Sequence, residues 1–138
     1  MELKSFFMTL MTVLCTSFTC LIGGWDYVIN ILAIFIILDY MSGVMRSIKL
    51  KQLDSQVGFI GILKKGAIFV VVILANQLDY IFVKDTPILR TMVCYFYIAN
   101  EGISITENLT ILGVPMPRFI TTSLNKLKEN NSSFKENS

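Results

Sequence analysis

Asn100 and Glu101 stand side by side in Cys94–Ile105, a stretch otherwise apolar enough for the interior of a bilayer. A charged side chain at the centre of a membrane helix costs about 2.5–3.5 kcal/mol, so it persists only where a partner, a proton or water relieves it. Two more acids lie in apolar runs, Asp39 within 28–45 and Asp79 within 66–83, and Arg90 lies just inside the fourth run. Groups placed this way serve ion or proton pathways, pore linings or contacts between helices. Catalysis by a histidine pair or triad and any His-based metal site are excluded, because the chain has no histidine. Cys15, Cys20 and Cys94 show no CxxC spacing and read as buried apolar thiols. Glu101, Asp39 and Ser42 lack a nucleophile–base partner, so neither an enzyme nor a cofactor site is expected.

The elements that position these groups follow from composition. Of 138 residues, 54 % are hydrophobic and 16 % charged, against about 25 % charged in a soluble domain. The apolar residues fall in long runs, which predicts an all-α integral membrane protein. The expected spans are 5–23, 28–45, 66–83 and 88–105, the last helix continuing to about 112. Together they form a four-helix bundle over 1–117, with three spans as the alternative. A turn at Gly24-Trp25-Asp26-Tyr27 separates the first two runs, and Pro87 opens the fourth. The apolar segment 57–63 reads either as an interfacial piece or as an early start to the third helix with its lysines snorkelling. Residues 118–138 are expected to be cytoplasmic: an amphipathic piece marked by Ile120, Leu124 and Leu127, then a disordered polar tail.

Helical spacing groups the polar residues into faces. Asp39, Ser42, Gly43 and Arg46 recur at i, i+3, i+4 and i+7, a small polar face suited to packing or a pore. Phe69, Val72, Asn76 and Asp79 make a second stripe, and Arg90, Tyr97, Glu101, Ser104 and Asn108 a third. In the first run Thr9, Thr12, Thr16 and Thr19 share a face, either for close helix approach or bonded to their own backbone.

Orientation follows the basic residues. Arg46, Lys49, Lys51, Lys64 and Lys65 cluster after the second run, with Arg118, Lys126, Lys128 and Lys135 after the fourth, which places both termini in the cytoplasm. A net charge of +2 gives no reason to expect nucleic acid as a partner. At 1.5 Å per residue, Asp39 lies roughly 10 Å from the inner end of its run and Glu101 roughly 20 Å from the outer start of its own, a similar depth. Two anions cannot relieve each other. Either one is protonated, or both face water inside an oligomer, or a polar contact within a monomeric bundle satisfies them. Asp79 and Arg90, both near the outer side, are expected to pair as ions.

Several stretches together resemble one family: Leu-Asp-Tyr-Met-Ser-Gly-Val (38–44), Val-Gly-Phe-Ile-Gly-Ile-Leu-Lys-Lys-Gly (57–66), Leu-Arg-Thr (89–91), Phe-Tyr-Ile-Ala-Asn-Glu-Gly-Ile-Ser-Ile-Thr-Glu-Asn-Leu (96–109) and Leu-Gly-Val-Pro-Met-Pro (112–117). From about residue 28 to 128 the chain is similar to the toxin-secretion/phage-lysis holins of Gram-positive bacteria and their phages. The resemblance implies a protein of the host cytoplasmic membrane that forms homo-oligomers and opens lesions. Through these an endolysin, or in some relatives a large toxin, leaves the cell without necessarily touching the protein. It also makes Met8 and Met11 candidate internal starts that drop Lys4. The competing expectations are a small ion or proton channel or transporter subunit, and a membrane adaptor.

Overall fold

A chain in hydrocarbon must satisfy every backbone N–H and C=O internally, and this one does so with helices. The computed structural model of the chain describes residues 2–82 and 86–126, among which there is no strand. Four long helices are α1 (Glu2–Leu21), α2 (Tyr27–Lys49), α3 (Ser55–Phe82) and α4 (Ile88–Leu112); a short α5 covers residues 118–126. The helices α1, α2 and α3 are long and apolar enough to cross a membrane. α4, which carries Arg90, Glu101 and Glu107, is not in that set.

Local chemistry sets the boundaries. Gly23 and Gly24, with φ of 82° and 96°, turn the chain after α1. Asp26 caps α2, its Oδ1 accepting the Ile29 N–H at 3.0 Å. Asp54 does the same for α3 by accepting the Gln56 N–H at 2.7 Å, so the helix begins eleven residues before the expected span at 66. The segment 57–63 is therefore the early part of α3. At 28 residues, α3 is roughly 42 Å long, more than a hydrocarbon core of about 30 Å. α4 ends where Gly113 turns left-handed and the Val114 N–H reaches the Leu109 carbonyl at 3.0 Å.

α2 and α4 run parallel and pack most extensively, and the C-terminal half of α3 lies against them. The shared core is Ile22, Ile29, Leu32, Ile68, Val72, Cys94 and Ile98. α1 has no buried residue; it touches α3 through Phe18 and Phe69, whose rings lie 5.9 Å apart. Its Thr9, Thr12 and Thr19 hydroxyls donate to carbonyls one turn back on their own helix. For the same reason Cys15 and Cys20 are exposed, contrary to expectation, and only Cys94 is buried. α5 folds back along the bundle and buries Leu124.

Candidate functional site

Two polar clusters tie the helices together, one toward the α2–α3 turn, here the inner cluster, and one beside the α1–α2 turn, the outer cluster. In the inner one, Asp39 (α2), Lys65 (α3) and Glu101 (α4) meet. The Lys65 ammonium is 2.6 Å from Asp39 Oδ2 and also contacts Glu101 Oε2. Both acids are 8 % exposed. Asn108 extends the cluster by donating through Nδ2 to Asp39 Oδ1 at 3.2 Å and to Ser42 Oγ at 3.1 Å. Arg46 Nη1 in turn donates to Asn108 Oδ1 at 3.4 Å. The chain of contacts Glu101–Lys65–Asp39–Asn108–Arg46 thus contains two acids and two cations and is neutral as a whole. One turn further in, Lys49 Nζ donates to the Ile111 carbonyl at 2.9 Å, near the end of α4.

Lys65, expected among the basic residues of the connection after the second run, thus lies within α3 and turns toward the acids. Neighbouring residues on a helix point about 100° apart, so of the pair Lys64–Lys65 one is exposed and the other turns inward. The signal was present: the stripe of Asp79, Asn76, Val72 and Phe69 reaches Lys65 if continued one more turn. The relief of Asp39 and Glu101 is thus a contact within one chain, supplied by a lysine. A cleft of about 480 Å³ between α2 and the first half of α3 opens beside the α2–α3 turn and reaches Asp39 and Lys65. Gly43 lines it, with room for a Cβ 3.7 Å from Asn108 Nδ2.

The outer cluster surrounds Arg90, which is 2 % exposed. Its Nε donates to the Ile22 carbonyl at 2.5 Å, Nη2 to the Gly24 carbonyl at 3.0 Å and Nη1 to Asp26 Oδ2 at 2.6 Å. Asp79 is therefore not the ion-pair partner of Arg90. Its two oxygens accept the backbone N–H groups of Leu89 and Arg90, each at 2.8 Å. This caps α4, which has no side-chain cap from Pro87, and sets a carboxylate at the positive end of the helix. Asn76 Nδ2 donates to the Leu21 carbonyl at 3.0 Å. Burial pushes the Asp26 carboxyl up, but the Arg90 hydrogen bond and charge, with the Ile29 and Val28 N–H groups, hold it below the ordinary carboxylate value. Asp26 was missed because it reads as an interface turn residue, and its partner lies 64 positions away.

Tyr97 and Asn100 join neither cluster. Tyr97 packs against the core with its ring edge-on to Phe96, centroids 5.2 Å apart, and Asn100 is half-buried beside Glu101. Lys51 is exposed, with φ of 55° in the α2–α3 turn. Lys128 and Lys135 lie outside the described residues. Among the described residues no group of His, Cys, Asp or Glu is placed to hold a metal ion.

A short helical chain with three membrane-length helices and charges held in its interior is the general form of a small multi-pass membrane protein. The sequence pattern of the bacteriophage holin family matches residues 16–129, and the chain belongs to that family. It is 38 % identical over 103 residues to a probable holin of Bacillus phage phi105, covering 75 % of this chain and 76 % of the relative. An uncharacterized protein of Clostridium perfringens is 46 % identical over 117 residues, covering 85 % of this chain and 87 % of its own. One of Listeria monocytogenes is 41 % identical over 103 residues, 75 % of this chain and 73 % of its own. No solved structure matches the chain.

Proposed function

We propose that this chain is a holin whose copies gather in the host cytoplasmic membrane and open lesions. These release a cell-wall-degrading endolysin, or a large toxin, without catalysis by the chain itself. The observation that carries the reading is the neutral inner cluster. A single copy hides Asp39 and Glu101 behind Lys65, so it can accumulate without presenting either acid bare to lipid. Exchanging those contacts for contacts with other copies or with water then gives a route from a sealed to an open arrangement. Membership in the holin family supports the same role.

Four crossings with both termini inside fit the register of the bundle. Arg90–Asp26 joins the starts of α2 and α4, and Lys49–Ile111 joins their ends. Where α2 crosses, α4 crosses beside it, with Arg90, Glu101 and Asn108 facing inward.

Induced expression with a coexpressed endolysin tests the reading. The expected outcome is a delay, then abrupt lysis. A second reading, a small ion or proton channel, is favoured by the one-sided cleft that reaches Asp39 and Lys65. It predicts solute flux with intact cells and no endolysin release. Glu101→Gln preserves the Asp39–Lys65 pair and should shift lysis timing; unchanged timing removes any special role for Glu101.

A further inference from the structure

The position of α5 is at odds with a lipid surrounding. Leu124 is buried, and it enters a notch that exists because residue 102 is glycine. A Cβ at Gly102 would lie 2.6 Å from Leu124 Cδ2 and 3.1 Å from Phe35 Cε1. Gly102 lies roughly 15 Å from the inner end of α4 and roughly 21 Å from its outer start, which puts it about 9–15 Å inside the inner edge of a hydrocarbon core of about 30 Å. The contacts that frame α2 and α4 at both ends leave little freedom in that depth.

The other side of α5 carries Thr122, Ser123, Asn125 and Lys126, all exposed. Glu107 and Thr110 on the inner half of α4 are exposed as well. Phe119, also exposed, precedes Leu124 by five residues and so lies roughly 7 Å nearer the inner surface, where aromatic rings are at home. A lysine in hydrocarbon costs about 2.5–3.5 kcal/mol, whereas seating one leucine against another helix in lipid has no hydrophobic driving force behind it. By contrast the outward faces of α1 and of the part of α3 after Lys64 are largely apolar, with Phe6, Leu14, Val70, Leu74 and Ile81 exposed. The molecule therefore has one surface made for lipid and one that is not.

We infer that α5 is the segment that faces water between assembled copies of this chain, held within the inner half of the membrane by Leu124 in the Gly102 notch. The inference rests on the assembly proposed above. It assigns α1 and α3 to the lipid side and the polar side of α5, with the inner half of α4, to the enclosed aqueous side.

The test uses the full chain with Cys15→Ala and Cys20→Ala. In membranes of induced cells, Phe35→Cys with Leu124→Cys should form a disulfide under mild oxidation, and adding Gly102→Ala should lower its yield severalfold. Where Phe35→Cys does not accumulate, a photo-reactive residue at 124 with Phe35 retained reports the same contact. Ser123→Cys in the crosslinked fraction should react with a charged, membrane-impermeant maleimide once lesions open, while Leu74→Cys should stay unreactive. An absent crosslink, or a crosslinked fraction as silent at 123 as at 74, overturns the inference even if lysis proceeds. Absence of lysis in the unmodified chain instead overturns the assembly on which it rests.

Discussion

The outer and inner clusters both bury charge in an apolar bundle, but they differ in what the charges touch. At the outer end, Arg90 and Asp79 hold backbone atoms of Ile22, Gly24, Leu89 and Arg90 itself. Main-chain carbonyls and amides at helix ends have no other protein partner, so these bonds fix where the α1–α2 turn and α4 begin. The inner cluster is side chain to side chain across three helices, beside an open cleft. Its partners can be exchanged for equivalents without unmaking a helix. The outer cluster is a fastening; the inner one is a contact that can be traded.

The largest test of this difference is Lys65→Met. Stranding two buried carboxylates costs about 3–5 kcal/mol, so membrane accumulation should fall severalfold. Adding Asp39→Asn and Glu101→Gln should restore it, because no buried carboxylate is then left without a cation. Normal accumulation of Lys65→Met alone would show that the inner ions do not hold the resting form.

Gly23→Ala strikes the outer fastening. Its Cβ would lie 2.3 Å from Asn76 Oδ1 at a backbone φ of +82°. A loss of about 1–3 kcal/mol from the backbone conformation alone is expected, read as a lower unfolding midpoint in detergent. Arg90→Lys keeps the charge but loses the fork that serves two carbonyls and a carboxylate at once, so about 1–2 kcal/mol should go. A lysine that performs as well would make the outer cluster a matter of charge alone.

The smallest effect is acid dependence at Asp26. Its folded pKa is depressed, so its contribution is present above the unfolded value near pH 4 and is lost as pH falls through the lower folded value. With the side chain 46 % exposed, the difference between parent and Asp26→Asn should be under about 1 kcal/mol at neutral pH and vanish in acid.

How much was legible depended on the range of the interaction. Hydropathy located the long helices, and helical spacing placed Asp39, Ser42 and Arg46 on one face, Glu101 and Asn108 on another. Those faces do meet in the inner cluster. Partner choice was not legible, because it follows from how helices distant in sequence are turned toward each other. Arg90 stands eleven positions after Asp79, yet it takes Asp26, and Asp79 takes the backbone. Lys65 was hidden by its neighbour, since two adjacent lysines beside a loop look like an orientation signal. The notch at Gly102 was invisible for a similar reason: its occupant comes from α5, beyond the end of α4.

Asp79 and Lys65 sit on the same helix, fourteen residues and nearly four turns apart. By gripping the first amides of α4, Asp79 sets the rotational phase of α3 along its whole length. A turn of about 100° about that axis would carry Lys64 into the place of Lys65 and pull Asp79 off its amides. The choice between two chemically identical neighbours is thus made near the far end of the helix, by a carboxylate that touches neither.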